Sequence, residues 1–435
     1  MECDPTRVCE LLIGLPAVRV LGVVDGPDAP IAVHVETRVA RPSCPGCGRA
    51  ARVKDRPKVE LVDLPCFGRP ARLAWHKHRW CCPNTSCTIG SWTGTEPRIA
   101  PARAAMTDRA GRWSCEQVGR LGRTVAEIAR ELGCDWHTVN DAVIAYGTPL
   151  VEDPNRIGPV DALGLDETLF CRVGPWHRQQ WATSIVDVGP GRSQLLDVVE
   201  GRDAGGPSDW LDARPESWRD AIGYGVLDLS GPYRKTFNES LEHVTQVADP
   251  FHLVKLANQK LDECRRRVQN ATFGHRGRKH DPLYRARRLL TKAHERLDER
   301  GESKLRGLLD AGDPHGEVRL AWHAKEVVRS IYTITQPTVA RAFVAELADD
   351  LQDESRPEEV RSLGRTLHRW LDQIVAWHDA FVTNGPTEAI NNLIKRIKRI
   401  GFGFRRFAHY RIRVLLYAGK PNWELLATAH PAEIR

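Results

Sequence analysis

Three acidic residues lie where they could support a metal-dependent reaction. Asp166 is near the end of one predicted strand, in GLDET, and Asp228 ends another, in GVLDLS. Glu388 begins a predicted helix in TNGPTEAINNLIKRIKRI, where it is the lone acid among Lys and Arg. Carboxylates that converge on one point repel one another unless a cation lies between them, and such oxygen ligands favour Mg²⁺ or Mn²⁺. Two such ions about 3.5–4 Å apart can activate a water or a 3′-hydroxyl against a phosphodiester.

Four cysteines form two pairs of the kind that bind zinc. Cys44 and Cys47 flank a Pro-Gly turn in CPGC, and Cys82 and Cys87 enclose a Pro-Asn turn in CPNTSC. Such turns let both sulfurs of a pair face one ion. The gap between the pairs is longer than in compact zinc ribbons, so the ligand set stays open. Three further residues are alternative ligands: Cys81, His76 and His78.

The stretch TVAEIARELGCDWHTVNDAVIAYG predicts two helices separated at Gly133. Thr124 can cap the first helix, and apolar residues resume the helical period from Trp136 in the second. This helix-turn-helix pattern turns polar side chains outward, towards base edges or phosphates of a major groove. Paired short helices are also ordinary core architecture. The predicted DNA contacts on the second helix are His137, Thr138 and Asn140.

Basic residues cluster in residues 265–300 and 395–413, beyond what the net charge of +7 implies. Such clusters suit a polyanion, of which nucleic acid is the commonest, although a solvated helix face is the alternative. The first cluster contains the run Arg265 to Arg267. The predicted phosphate contacts in the second are Lys395, Arg396, Lys398 and Arg399.

The order of predicted elements identifies the fold that must position the acids. After a proline-rich linker at residues 148–160, three consecutive strands precede a helix, a strand, a helix, a strand and a further helix. This is the order of a ribonuclease H-like sheet, in which the strands of Asp166 and Asp228 lie side by side. Alternation turns Glu167 to the opposite face. Trp176 and Trp181 are expected in the core of the sheet.

The chain is therefore predicted to be an α+β multidomain protein. Its 435 residues, 41% hydrophobic and 27% charged, indicate several globular domains and exclude disorder throughout. The ribonuclease H-like α/β core is interrupted by an all-helical insertion. The predicted domains are a zinc-binding domain at 1–100, a helix-turn-helix domain at 101–150, the core at 158–252 and 381–420, and the insertion at 253–380.

These motifs together resemble a DDE transposase of the ISL-three family of bacterial insertion sequences over nearly the whole chain. The resemblance rests on CPGCG with CPNTSC, the helix-turn-helix, GLDET, LDLSGPYRK, VADPFHLVKLAN and TNGPTEAINNLIKRIKRIGFGFRRF. It implies that Asp166, Asp228 and Glu388 are the catalytic triad, with Mg²⁺ or Mn²⁺, acting on terminal inverted repeats by cut-and-paste or related movement. Asp249, in DPFH, is implied to be a positioning residue or a rival second acid.

Two other functions remain open on sequence alone. A zinc-finger and helix-turn-helix regulator would bind DNA without cutting it, and a metal-dependent nuclease would cut without joining. The N-terminus lacks signal-peptide features and no run of about 18 apolar residues exists. The sequence therefore predicts a bacterial cytoplasmic, nucleoid-associated protein with no membrane partner. Its partners would be DNA, as inverted repeats and target, and further copies of itself on that DNA.

Overall fold

The computed structural model describes residues 2–27 and 29–429. The chain divides into two compact units, Met1–Gly158 with Leu393–Arg435, and Pro159–Asn392. The first unit therefore draws on both ends of the sequence. The boundary between the two units falls within one long helix, whereas the sequence predicted a single core of 158–252 and 381–420.

Two sheets and a buried cluster of apolar side chains organise the first unit. Its strands are β1 (Val18–Val24), β2 (Ile31–Thr37), β3 (Arg52–Asp55), β4 (Lys58–Cys66), β5 (Arg69–His76), β6 (Arg79–Cys81) and β7 (Ser91–Thr93). One sheet has the order β1-β2-β5-β4 and the other β3-β6-β7. Val35, Leu73 and Trp75 belong to the buried cluster, and the Trp75 indole donates to Thr37 Oγ1 at 2.7 Å.

The main helices of the first unit come from both parts of the chain. They are α1 (Pro5–Ile13), α2 (Asp108–Cys115), α3 (Val125–Leu132), α4 (Trp136–Val151) and α16 (Phe407–Ala418). Shorter helical turns span Glu116–Arg120, Pro154–Arg156 and Trp423–Ala427. Thr124 and Glu127 form a capping box at the start of α3, and Gly133 ends it in the left-handed conformation, φ 62°. The two predicted helices are thus confirmed, but Trp136 is 46% exposed and does not continue the apolar face.

The second unit is built on a five-stranded sheet. Its strands are β8 (Ala162–Val173), β9 (Arg178–Asp187), β10 (Gln194–Glu200), β11 (Tyr224–Leu227) and β12 (Thr245–Ala248). Their order is β10-β9-β8-β11-β12. β9 is antiparallel to β8 and β10, whereas β8, β11 and β12 run parallel. All five predicted strands are present, but β8 continues seven residues past Asp166.

Helices make up the rest of the second unit. They are α5 (Gly205–Asp212), α6 (Glu216–Asp220), α7 (Gly231–Ser240), α8 (Pro250–Phe273), α9 (Pro282–Leu290), α10 (Glu299–Gly312), α11 (Glu317–Ser330), α12 (Pro337–Leu351), α13 (Glu358–Arg369), α14 (Leu371–Ala380) and the start of α15 (Gly385–Ile400). Single turns lie at His294–Arg296 and Ile331–Thr333. Within this segment α10 ends at Gly312, and α12 begins at Pro337. No helix in the described ranges is both long and apolar enough to cross a membrane.

Candidate functional site

Asp166 and Asp228 are brought together by two paired parallel strands. Leu165 in β8 is in register with Leu227, the last residue of β11, so Asp166 in β8 and Asp228 directly after β11 follow this pair. Asp228 is largely buried, and its Oδ1 has no hydrogen-bond partner. A buried carboxylate oxygen without a donor is costly unless another group neutralises it. This orphaned oxygen fits a cation ligand.

The electrostatics of Asp228 support the same interpretation. Burial, followed by the negative charge of Asp166, raises the pKa of Asp228 to about 6, while His252 and Lys255 act in the opposite direction. Desolvation and a nearby like charge both disfavour the ionised carboxylate. A divalent cation between Asp166 and Asp228 would reverse both effects. The two carboxylates are therefore better suited to binding a metal ion between them than to lying side by side without one.

A hydrogen-bond chain joins Asp166 to the helix that carries Glu388. Asn391 Nδ2 donates to Asp166 Oδ2 at 2.6 Å, and Ser184 Oγ donates to Asn391 Oδ1 at 2.9 Å. Ser184 is opposite Asp166 in the antiparallel pair β8–β9. Because residues three apart share a helix face, Asn391 brings the face of Glu388 towards Asp166.

Asp249 fastens the start of the same helix. It is 2% exposed, and its Oδ1 accepts from the backbone N–H of Asn384 at 2.8 Å. Its Oδ2 accepts from His252 Nδ1 at 2.9 Å. Both carboxylate oxygens are thus occupied by donors of the protein itself.

His252 is held by that carboxylate close to the two aspartates. Burial alone would lower its pKa, but the hydrogen bond to Asp249 and the charges of Asp249, Asp228 and Asp166 raise the pKa above its ordinary value. Because Nδ1 is engaged, Nε2 is the ring nitrogen left for other contacts.

Gly164 permits the close approach of α15 to β8. A Cβ at Gly164 would lie 2.4 Å from Thr387 Oγ1 and 3.0 Å from Asn384 Oδ1, so the first residue of GLDET must lack a side chain. The side-chain amide of Asn384 is buried without a hydrogen-bond partner. Its side chain therefore does not cap α15, and only its carbonyl accepts from Glu388 N–H, at 3.0 Å.

The four predicted zinc ligands form a cluster. The sulfurs of Cys44, Cys47, Cys82 and Cys87 all lie within 4.8 Å of one another. The Cys44–Cys87 separation is 3.7 Å and the Cys47–Cys82 separation is 3.4 Å. Tetrahedral zinc with bonds of about 2.3 Å requires sulfurs about 3.8 Å apart, so the donor set fits that ion. Among the described residues no carboxylate set is gathered as tightly, and Asp166, Asp228 and Glu388 do not lie within the same limit of one another.

The alternative zinc ligands lie outside the cysteine cluster. His76 Nε2 lies 3.1 Å from His34 Nδ1, and His78 stacks on Trp80 with ring centroids 5.1 Å apart. Cys81 is paired in β6 with Ser91 of β7. None of the three belongs to the cysteine cluster.

The predicted DNA contacts on α4 are only partly exposed. His137 is exposed and Thr138 is half-buried. The expectation that Asn140 faces outward is wrong, because Asn140 is 4% exposed. Its Nδ2 lies 3.4 Å from His409 Nδ1 on α16, so the side chain is packed between α4 and α16.

The two basic clusters differ in how far their charges are paired with acidic side chains. Lys395, Arg396 and Arg399 are exposed on α15, and Lys398 is half-buried. In the other cluster, Arg265 pairs with Asp262 at 2.7 Å. Arg267 pairs with both Glu317 and Glu359, at 2.5 and 2.8 Å. The run at residues 265–267 is therefore largely neutralised, contrary to its prediction as a surface for a polyanion.

The two tryptophans of the β8–β9 hairpin lie in different surroundings. Trp176, expected in the core, is 91% exposed at the turn between the strands. Trp181 is half-buried, with the Arg202 guanidinium 5.0 Å from its ring centroid. Arg202 also lies 3.9 Å from Glu167, the residue predicted to lie on the opposite face of the strand from Asp166.

Comparisons with known proteins agree on one class. A family model described as a transposase, of the DDE type and the ISL-three group, matches residues 163–414. The chain is 24% identical over 396 residues to the transposase for insertion sequence element IS1001 of Bordetella parapertussis, covering 90% of this chain and 92% of that protein.

Two further similarities are shorter. The chain is 27% identical over 290 residues to the transposase for insertion sequence element IS1557 of two Mycobacterium tuberculosis strains, 62% of this chain and 63% of theirs. A stretch of 63 residues is 36% identical to a Lactococcus lactis protein named ATP-dependent protease, but it covers 14% of this chain and 20% of that protein. The matches that cover more than half of the chain are all to transposases.

The buried charge of Asp228 should affect stability with a defined pH dependence. A raised pKa in the folded state means that stability is lost as pH rises from the unfolded value of 3.8 through about 6. Without divalent metal, Asp228→Asn should be more stable than the wild type at pH 7.5, by about 1–3 kcal/mol as an upper range. The difference should shrink at pH 4.5. Thermal unfolding in EDTA at both pH values measures it.

The control for that prediction is Asp220→Asn, which changes an exposed carboxylate at the end of α6. It should leave the unfolding temperature unchanged at both pH values. Equal stability of Asp228→Asn and the wild type at pH 7.5 would mean that the ionised Asp228 is not destabilising.

Proposed function

This chain belongs to the ISL-three family of DDE transposases, and from that membership we propose that it binds the terminal inverted repeats of its own insertion sequence and cuts and joins DNA there. The proposal is supported above all by Asp166 in β8 and Asp228 directly after the parallel neighbour β11, with Asn391 linking Asp166 to the helix of Glu388. In this proposal the three acids hold Mg²⁺ or Mn²⁺. Asp249 is disfavoured as an alternative second catalytic acid, because both of its carboxylate oxygens already accept hydrogen bonds from the protein.

The proposed fold of the second unit is ribonuclease H-like. The strand order β10-β9-β8-β11-β12 and the parallel pairing of β8, β11 and β12 support this assignment. The long helical segment before Glu388 supports an insertion at residues 253–380. We retain 1–100 as the proposed zinc domain and 101–150 as the helix-turn-helix. We shorten the proposed core from 158–252 with 381–420 to 158–252 with 381–392, because Leu393–Arg435 belongs to the first unit.

The residues of the site have distinct roles in the proposed reaction. Bound divalent ions would activate the attacking water or hydroxyl and stabilise the leaving oxygen. Asp166 is oriented by Asn391, so its Oδ2 has a fixed direction. Asp228 offers the unpaired Oδ1, and a cation would stabilise the ionised form that burial disfavours by raising the pKa of Asp228. Asp249 is a positioning residue that holds His252 and the start of α15.

Neutral substitutions of the acids test the catalytic assignment. Asp166→Asn, Asp228→Asn and Glu388→Gln should each reduce cleavage to background while binding to the transposon ends stays within about twofold, since each removes a metal ligand and no DNA contact. Mg²⁺-dependent cleavage of DNA flanking the gene, with end mapping, measures the first effect, and fluorescence anisotropy measures the second. Wild-type cleavage by any one variant would remove that residue from the assignment.

The same assay separates the alternative functions. A joined product between cleaved ends and target DNA supports a transposase, whereas cleavage without joining supports a nuclease. A regulator would bind the ends and leave them intact. Asp249→Asn is the comparison variant, because it should lower thermal stability as well as activity by weakening the attachment of α15.

We also propose that the four-cysteine cluster binds one structural Zn²⁺. Cys44→Ser should lower the zinc content well below the expected one ion per chain and loosen the first unit, because metal binding contributes directly to folding. Cys81→Ser is the matched control, since Cys81 adjoins Cys82 but lies outside the cluster. Elemental analysis after dialysis measures both. Undiminished zinc in Cys44→Ser would refute this ligand set.

DNA recognition is proposed to divide between α4 and α15. His137 and Thr138 are proposed to read bases, whereas Lys395, Arg396, Lys398 and Arg399 contact phosphates. Asn140 is proposed to orient α4 through His409 instead of touching DNA. We further propose that the protein acts as a homo-oligomer on its two DNA ends.

Salt dependence distinguishes the two kinds of contact. Lys395→Ala with Arg399→Ala should weaken binding to all sequences and reduce the salt slope by up to about 0.9 per lost contact. His137→Ala with Thr138→Ala should cost about 1–3 kcal/mol on the cognate repeat and little on scrambled DNA. The control is Arg266→Ala, whose guanidinium already pairs with Asp262 at 2.9 Å. Titrations at several salt concentrations measure these slopes, and an unchanged slope in the first variant would mean that those side chains face only solvent.

A further inference from the structure

A two-stranded ribbon extends from the five-stranded sheet. β8 and β9 pair as far as Val173 opposite Arg178. In contrast, β11 accompanies β8 only to Leu165, and β10 accompanies β9 only to Ala182. We call residues 169–181 the β8–β9 ribbon. At about 3.3 Å per residue, its strands reach about 15 Å past the sheet, and all residues from 172 to 180 are exposed.

Trp176 occupies the tip of the ribbon in a defined turn. Gly174 and His177 adopt positive φ angles of 71° and 47°, and His177 N–H donates to the Gly174 carbonyl at 3.1 Å. The turn therefore holds the indole away from the sheet, where it is 91% exposed. A large apolar side chain left in water forgoes the favourable free energy of burial. Such a residue at a protruding tip is suited to a partner with a flat apolar face.

The charge around the indole identifies the class of that partner. Arg172 and Arg178 flank the turn, and the sequence has no acid between Glu167 and Asp187. Within the described part of the chain, neither arginine forms an ion pair with a carboxylate. A second copy of this chain, with net charge +7, is a poor electrostatic match. A nucleic acid offers phosphates for guanidinium groups and bases for stacking.

The ribbon also extends from the strand that carries Asp166. Val173 lies seven residues beyond Asp166, which at about 3.3 Å per residue is roughly 23 Å, or about seven base pairs along a duplex. Resting on the proposed transposase function, we propose that Trp176, with Arg172 and Arg178, forms a stacking site for an unpaired DNA base about seven base pairs from the reacting phosphate. The site would favour DNA whose strands are locally separated.

The test compares paired and locally unpaired DNA. Two duplexes of the same scrambled sequence are used, one fully paired and one with a three-nucleotide mismatched bubble containing 2-aminopurine. The full-length protein is titrated in EDTA, so that no cleavage occurs, and anisotropy and 2-aminopurine fluorescence are recorded. Stacking on one base is worth about 1–3 kcal/mol, a factor of about 5–150 in affinity. Wild-type protein should therefore prefer the bubble and quench the 2-aminopurine.

The variants isolate the indole from general effects. Trp176→Ala should lose the bubble preference and the quenching while changing paired-duplex affinity by no more than about twofold, and Trp176→Phe should retain most of both. Phe67→Ala is the matched control, because Phe67 is 88% exposed at another strand turn, between β4 and β5. It should behave as the wild type. Arg172→Ala and Arg178→Ala should weaken binding to both DNAs and lower the salt slope.

The outcomes separate this proposal from the proposed function. Equal binding of bubble and paired DNA by the wild type, or an unchanged bubble preference in Trp176→Ala, would overturn the stacking site even if cleavage occurs. Bubble preference that depends on Trp176 in a protein that cuts no DNA would support the stacking site and refute the transposase activity. A change of oligomeric state in Trp176→Ala without any effect on DNA would assign the indole to a protein contact and overturn the proposal.

Discussion

The hydrogen bond from the Asn384 backbone to the buried Asp249 carboxylate, 2.8 Å long, is the interaction on which the geometry of the candidate site depends. Asp249 follows β12, and Asn384 follows the entire helical segment that begins with α8. Hydrogen bonds to charged groups contribute about 1.5–3 kcal/mol, and this one ends in a protein interior where water cannot replace it. It fixes the start of α15. Asn391 fixes the same helix again at Asp166, so two attachments determine the orientation of the turn that bears Glu388.

That arrangement concentrates negative charge that the fold only partly compensates. Asp249 accepts three hydrogen bonds, one from Asn384 and two from His252. Asp166 accepts two, from Asn391 and from the Glu167 backbone N–H, but Asp228 retains a buried oxygen without a partner. Most buried polar groups in proteins are paired. An exception beside a second carboxylate and a histidine of raised pKa is typical of a functional site, where local stability is given up for a ligand. The cysteine cluster differs from this site, because its sulfur–sulfur separations of 3.7 and 3.4 Å are already close to those of ligands around tetrahedral zinc.

Sequence patterns predicted the helices and strands of this structure better than the contacts between residues that are remote in the sequence. Alternating apolar residues and turn residues identified the strands β8 to β12 and their order along the chain, because those signals are local in the sequence. The packing of Asn140 against His409 was missed because the residues of α16 that approach α4 are remote in the sequence. The ion pairs of Arg267 with Glu317 and Glu359 are equally remote. Trp176 was assigned to the core because an apolar residue near a strand gives no signal of where the neighbouring strands end. Gly164 could have been identified only from its close contact with Thr387.

The discontinuous first unit has a consequence for the order of events during synthesis. Residues 1–158 emerge from the ribosome before any of Leu393–Arg435, yet these segments form one unit, in which Arg156 donates to the carbonyl of Gly419. At about 5–20 residues per second, the wait between them is roughly 10–50 s. During that interval α4 lacks α16, Asn140 lacks His409, and the chain also lacks Glu388. A nascent or prematurely terminated chain therefore has neither a complete first unit nor the helix α15 that carries Glu388, so both parts of the candidate machinery are completed only by the last segment to be synthesised.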